Sequence, residues 1–188
     1  MHGEIGSDQK MKVLVFSDSH GNETNMITAI EQETPDMVLH LGDCWEDVQE
    51  LRWIYPELAI EQVPGNCDDV PLEELERVIQ VAGYRLAFCH GHSRGVKRDQ
   101  RGIICLGEET GADLVLYGHT HQRHCEKCGC FYLMNPGSVG MGSVSYGVLY
   151  LEEGQCRGVI KGVFSEEEYY HYLKLLVPDH ALLTLSLL

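Results

Sequence analysis

The run KVLVFSDSHG, residues 12–21, decides the fold class. Lys12 to Ser17 is a short β-branched and apolar series that reads as a buried strand, and Asp18 and His20 fall directly past its end. The same arrangement returns downstream. Met37 to Leu41 is a second buried strand followed by Asp43 in L-G-D, and Ala59 to Val63 is a third, broken by Pro64 and Gly65 and followed by Asn66 in P-G-N-C-D. Helix-type spacing covers Asn25 to Glu33, closed by Pro35, and Trp45 to Ile54. An order β-α-β-α-β implies a parallel sheet with helical crossovers.

The second half changes character. Arg77 to Val81 and Tyr84 to Cys89 flank Ala82 and Gly83 as a hairpin, Asp99 to Thr110 predicts a helix, and Leu114 to Tyr117 another buried strand. From His124 onward the pattern is strand and turn, with strands over Phe131 to Met134, Ser145 to Leu151 and Arg157 to Phe164. Ser165 and Glu168 form a capping box that predicts a last helix through Leu176, stopped by Pro178. The apolar tail Ala181 to Leu188 is expected to pack on the body or on a second subunit, which makes a homodimer an expectation. Residues 1–10 are polar and carry no apolar signal core, so they read as a disordered leader or expression remnant before one domain over 11–188.

Composition narrows the function classes. The 188 residues, 44% of them hydrophobic, suffice for one well-cored domain and are too few for two large ones. Lys and Arg total 14 against 29 Asp and Glu, a formal net charge of −15. Such a surface repels nucleic-acid backbones, so nucleic acid is not an expected partner, whereas a small anion could still bind at bound metal ions. No stretch is long or apolar enough to span a bilayer, and the expected location is the cytoplasm, with the 8 cysteines as thiols.

The chemistry lies at the strand ends. Asp18 and His20, Asp43, Asn66, His90 and His92 in C-H-G-H, and His119 and His121 in Y-G-H-T-H each follow a predicted strand. In open α/β sheets these carboxyl ends gather where ligand crevices form. A lone Asp or His there is commonly a cap or turn former; five such clusters in one chain are not explained that way. Imidazole, carboxylate and amide oxygen suit divalent Mn, Fe, Zn, Ni or Mg. A carboxylate shared by two ions about 3.5–4 Å apart suits activation of water and in-line phosphoryl displacement.

The ordered set D-S-H, G-D, G-N-C-D, H-G-H and G-H-T-H resembles the calcineurin-like metallophosphoesterase superfamily from Met11 to about Phe164. G-N-C-D, the small size and N-P-G-S at Asn135 to Ser138 resemble its compact bacterial and archaeal phosphodiesterase branch. The resemblance implies a four-layer αββα sandwich, two mixed β-sheets flanked by helices. It also implies two divalent ions, manganese foremost with Ni, Fe, Zn or Mg as alternatives. One would sit on Asp18, His20, Asp43 and His121, and the other on Asp43, Asn66, His90 and His119. Attack by a hydroxide between the ions would cleave a small-molecule phosphate diester, Asn66 helping to polarise the phosphoryl oxygens. Alternatives are a phosphomonoesterase acting on nucleotides or phosphoproteins, and a non-catalytic scaffold such as the retromer subunit of similar fold.

One position departs from the wider superfamily pattern. Many members carry G-N-H, and Cys67 stands where that His helps protonate the leaving group. A thiol is a poor proton donor to an alkoxide, so esters with good leaving groups are expected, with Cys67 near the substrate. His92 is the replacement candidate, either contacting phosphate or supporting its loop. Arg94, with Lys97 and Arg98, forms a basic segment read either as a solvated loop or as a contact for the substrate's non-transferred part, Arg94 foremost. His40 is expected to support the site rather than ligate. The Cys125, Cys128 and Cys130 cluster reads as a β-turn, with zinc or a disulfide as the alternative.

Overall fold

The computed structural model describes residues 10–70, 74–142, 144–164, 168–169 and 175–176. The β-branched run at the front forms β1 (Met11–Phe16), and the chain continues through α1 (Glu23–Glu33), β2 (Met37–His40), α2 (Trp45–Ile54) and β3 (Ala59–Gln62). The hairpin β4 (Glu76–Val81) and β5 (Tyr84–Cys89) leads to α3 (Arg101–Thr110), β6 (Leu114–Tyr117), β7 (Arg123–Cys128) and β8 (Phe131–Pro136). The long hairpin β9 (Ser145–Glu152) and β10 (Gln155–Gly162) follows, then the short β11 (Glu168–Tyr169) and β12 (Leu175–Leu176).

These strands make two mixed sheets. One runs β11-β10-β9-β1-β2-β3, with β12 also on β10; the other runs β4-β5-β6-β8-β7. β1, β2 and β3 are parallel, as are β5, β6 and β8. Alternation along each strand sorts side chains into three apolar layers. Val13, Val15 and Leu39 meet Leu86, Phe88, Leu116 and Met134 between the sheets. Leu14, Phe16 and Val38 face the other way onto Met26 and Ile30 of α1 and Val48 and Leu51 of α2. Ala87, Val115 and Leu133 pack on Ile103 and Leu106 of α3. The result is the expected αββα sandwich.

The predicted C-terminal helix is corrected where the residues are described. Glu168 and Tyr169 pair antiparallel with Lys161 and Ile160, and Leu175 and Leu176 with Cys156 and Gln155. The outer edge of β10 offers a row of backbone N–H and C=O groups, and pairing with it outweighs a local capping box. The rest of that segment, the tail Ala181 to Leu188 and residues 1–9 lie outside the described residues. The helix expected from Asp99 begins at Arg101, because Asp99 turns its carboxylate onto the Arg101 N–H at 3.0 Å ahead of the first turn. Among the described residues, no helix is long and apolar enough to cross a membrane.

Candidate metal centre

The carboxyl ends of β1, β2, β3, β5 and β6 converge on one edge of the sandwich, where hydrogen bonds tie neighbouring strand ends within each sheet and the His119 N–H crosses between sheets to Asp18 Oδ2 at 3.0 Å. The Gly118 N–H donates to the His90 carbonyl at 3.1 Å, and the Asp18 N–H to the Gly42 carbonyl at 3.0 Å. Five of the seven candidate ligands (Asp18, His20, Asp43, His119 and His121) have φ between 49° and 68°. This left-handed region costs a non-glycine residue roughly 1–2 kcal/mol, and such strain clusters at functional sites. Glycines permit the close approach. A Cβ at Gly65 would lie 2.0 Å from Asp43 Oδ1, and one at Gly118 1.8 Å from Ser17 Oγ.

Asp18 and Asp43 form the floor, both buried. Asp18 Oδ2 accepts from the Ser17 hydroxyl at 2.6 Å and the His119 N–H at 3.0 Å. Its Oδ1 therefore faces His121 Nε2 at 3.1 Å and His90 Nε2 at 3.2 Å. Asp43 Oδ1 accepts from the Cys67 N–H at 3.0 Å, while Oδ2 faces His90 Nε2 at 3.5 Å and His20 Nε2 at 3.9 Å. The ring nitrogens of His20 and His121 stand 3.2 Å apart. Three groups of donor atoms each gather within 4.8 Å: Asp18, His20 and His121; Asp43, His90 and His119; and His20, Asp43 and Cys67.

This donor set fits divalent ions. Ligand atoms about 2.1 Å from one ion, at octahedral or tetrahedral angles, stand roughly 3.0–3.4 Å apart. The Asp18–His121 and His20–His121 spacings fall in that range, those from Asp43 to His90 and His20 are longer at 3.5 and 3.9 Å, and Asp43 gathers both with His90 and His119 and with His20 and Cys67. Asn66 is exposed at the rim, its amide donating to Cys67 Sγ at 3.4 Å.

Electrostatics follow from this packing. Burial would raise the Asp18 pKa, but hydrogen bonds from His90 and Ser17 and the charges of His90 and His121 outweigh it, bringing the carboxyl to about 2. Burial, then the charges of His90 and Lys97, push His119 down to about 4, which keeps its imidazole neutral and able to ligate. Burial and the Asp43 charge raise the Cys67 thiol.

Neighbouring side chains hold the ring in place. His40, fully buried, accepts the Gly42 N–H at Nδ1 (3.2 Å), so its Nε2–H donates to Ser19 Oγ (3.1 Å), whose hydroxyl donates to the Asp43 carbonyl (3.2 Å). Burial lowers His40 to about 4 and keeps it neutral in this chain of donors. His92 places Nδ1 3.1 Å from His90 Nδ1, so the two rings share one proton between these nitrogens.

Two supporting groups carried no role in the sequence reading. Asp68 accepts four backbone N–H groups, from Asp43, Cys44, Trp45 and Gly65, at 2.7–3.1 Å. Asn135 donates to the Gly118 carbonyl at 2.9 Å, and the Ser138 hydroxyl to the Asp18 carbonyl at 2.7 Å. The fourth residue of G-N-C-D and the N-P-G-S run were the available signals.

Arg94 is placed elsewhere than expected. Its guanidinium makes a two-pronged bond to Glu76 at 2.5 and 2.6 Å and a third to Glu109 at 3.1 Å, so it is committed to structure rather than to a substrate. Cys125 packs against the inter-sheet core and Cys128 against the α3 layer, on opposite faces of β7. Gly129 and Cys130 form the turn into β8. Among the described residues, these three cysteines make neither a metal group nor a disulfide.

Comparison with known proteins agrees with this geometry. Residues 11–154 match the calcineurin-like phosphoesterase superfamily domain. The chain is 32% identical over 149 residues to the probable metallophosphoesterase YsnB of Bacillus subtilis, covering 76% of this chain and 85% of that one. It is 24% identical over 171 residues to the phosphodiesterase MJ0936 of Methanocaldococcus jannaschii, covering 80% and 99%. The fold matches wild-type Vps29 complexed with zinc from Entamoeba histolytica at 19% identity and a TM-score of 0.71, over 88% of this chain and 99% of that one. The chain is therefore a member of the calcineurin-like phosphoesterase superfamily.

Proposed function

We propose that the protein is a phosphodiesterase dependent on two divalent ions, manganese foremost, held by Asp18, His20, Asp43, Asn66, His90, His119 and His121. The observation that carries this reading is the pair of carboxylate–imidazole groups, Asp18 with His20 and His121 and Asp43 with His90 and His119, linked by Asp43 also gathering with His20. Bound ions would supply positive charge to the phosphoryl oxygens and lower the pKa of a water between them. The chain's own residues do the rest. Asp18 and Asp43, each with one oxygen held by a hydrogen bond, present the other inward. A His92 ring accepting from His90 Nδ1–H would hold His90 in its ligating tautomer, and the Asn66 amide would donate to a phosphoryl oxygen.

The preference for diesters rests on Cys67. Its raised pKa leaves it a neutral thiol at pH 7 and a poor acid for an alkoxide leaving group. Phenol-like leaving groups need no such acid, and a 24% identical relative is named a phosphodiesterase. A small-molecule substrate in the cytoplasm suits a chain of net charge −15.

Protein stripped with EDTA should not hydrolyse bis(4-nitrophenyl) phosphate, and should regain activity with Mn²⁺. Asp43→Ala and His90→Ala should each lose at least about a thousandfold in kcat with circular dichroism unchanged, since each removes a contact to the metal pair. Failure of every divalent ion to support turnover would sink the reading. Near-zero metal occupancy after loading would favour the scaffold instead.

A further inference from the structure

Cys67 differs from the other cysteines in its surroundings. All 8 are free thiols, and Cys89 and Cys156 are buried in apolar layers. Cys125 and Cys128 pack on opposite faces of β7, and Cys105 donates to Glu109 of its own helix at 3.1 Å. Among the described residues, Cys67 is the one cysteine whose sulfur gathers with other metal-capable donors: its Sγ, His20 and Asp43 lie within 4.8 Å of one another.

Two hydrogen bonds set this position. The Cys67 N–H donates to Asp43 Oδ1 at 3.0 Å, which holds its backbone against the carboxylate, and the Asn66 amide donates to Sγ at 3.4 Å. An N–H aimed at sulfur stabilises a thiolate more than a thiol. Asp43 Oδ2 and His20 Nε2 stand 3.9 Å apart. In tetrahedral ligation, with sulfur about 2.3 Å and nitrogen or oxygen about 2.1 Å from the ion, ligand atoms stand roughly 3.4–3.6 Å apart. Cys67 is exposed and His20 half-buried, so small side-chain rotations are enough to close the remaining gap.

The geometry points to Cys67 as a further metal ligand, one that engages thiophilic divalent ions such as Zn²⁺ or Cd²⁺ and stays a free thiol beside Mn²⁺. Thiolate is a soft donor and suits zinc, whereas Mn²⁺ and Mg²⁺ favour oxygen. On binding, a metal–sulfur bond forms and the S–H proton passes to the buffer, since a coordinating thiol is deprotonated outright. The thiolate fills a coordination position and cancels part of the ion's charge, so phosphoryl oxygens are polarised less than in the manganese form. Cys67 thereby widens the affinity gap between zinc and manganese and makes the zinc form the slower enzyme. The inference rests on the phosphodiesterase reading above, because His20 and Asp43 belong to that centre.

Cadmium is the probe, because a thiolate–cadmium bond gives an ultraviolet charge-transfer band that nitrogen and oxygen ligands lack. Stoichiometric Cd²⁺ added to the metal-free full chain should raise this band. Cys67→Ser and Cys67→Ala should each lose it, while Cys44→Ser and Cys130→Ser keep it. In competition titrations, Cys67→Ser should weaken Zn²⁺ binding at least about tenfold and leave Mn²⁺ binding as in the parent. Zinc added to the manganese-loaded parent should slow hydrolysis of bis(4-nitrophenyl) phosphate, and Cys67→Ser should need correspondingly more zinc for the same slowing. A cadmium band that survives in both Cys67 variants, or a zinc-to-manganese affinity ratio unmoved by Cys67→Ser, overturns the inference while Mn²⁺-dependent turnover upholds the phosphodiesterase reading. A Cys67-dependent band in a protein that no divalent ion makes active overturns that reading and upholds the ligand assignment.

Discussion

Cys67 is where one side chain does most to set the chemistry. Its N–H holds Asp43 Oδ1 at 3.0 Å, and its sulfur gathers with His20 and Asp43, so in the proposed reaction a group at this position would face the phosphate. Burial and Asp43 keep the thiol protonated. An imidazole there would have a pKa near neutrality and could protonate an alkoxide. Cys67→His should therefore raise kcat/KM for an alkyl phosphomonoester at least about tenfold relative to bis(4-nitrophenyl) phosphate. Unchanged relative rates would show that position 67 does not control the leaving group. The departure from G-N-H was readable from sequence; the engagement of Arg94 was not. Glu76 and Glu109 lie 18 and 15 residues away and meet it only once β4 and α3 flank the loop.

At the scale of elements, the turns after β2 and β3 form one unit with Asp68 at its centre. The carboxylate takes N–H groups from the first turn of α2 and from Gly65, where the positive end of the helix dipole also favours a negative charge. Asp68→Ala would leave these donors without their acceptor and cost about 3 kcal/mol, to be read from urea unfolding of metal-free protein. Metal affinity should fall 10- to 100-fold in the same variant, because Asp43 sits on that turn. Loss of stability without loss of affinity would confine Asp68 to the scaffold. The local pattern G-N-C-D offers Asn66 as a ligand but does not announce the bracing by Asp68, since the partners of its last residue lie up to 25 positions earlier. The C-terminal strands make the same point, as β10 supplied a partner that no local signal in Ser165 to Leu176 announces.

For the molecule as a whole, acid should weaken the fold in two stages. His40 is fully buried and drops from 6.5 to about 4 on folding, so the unfolded chain binds more protons between those values. Its stability contribution is therefore full above pH 6.5 and is lost as pH falls to about 4, roughly 3 kcal/mol for a shift of this size. Asp18 has its pKa lowered from 3.8 to about 2, so its contribution holds above 3.8 and is lost between these values. Tm of metal-free protein should fall first between pH 6.5 and 4 and again below 3.8. In His40→Gln the first decline should be smaller. A Tm flat from pH 7 to 4 would contradict a neutral buried His40.

The sequence by itself determined the β-α-β-α-β start, the β4-β5 hairpin, and the placement of a metal-capable residue past each of five strands. Those features are local: strand burial shows as β-branched apolar runs, and a side chain just past a strand end goes where the sheet edge goes. Tertiary structure alone decided which carboxylate oxygen faces inward, how Asp68, Asn135 and Ser138 brace the ring, and which carboxylates engage Arg94. Each of these depends on hydrogen bonds between residues far apart in the chain, such as Ser138 to Asp18 across 120 positions. No spacing rule can encode such a contact before the two sheets have closed on one another.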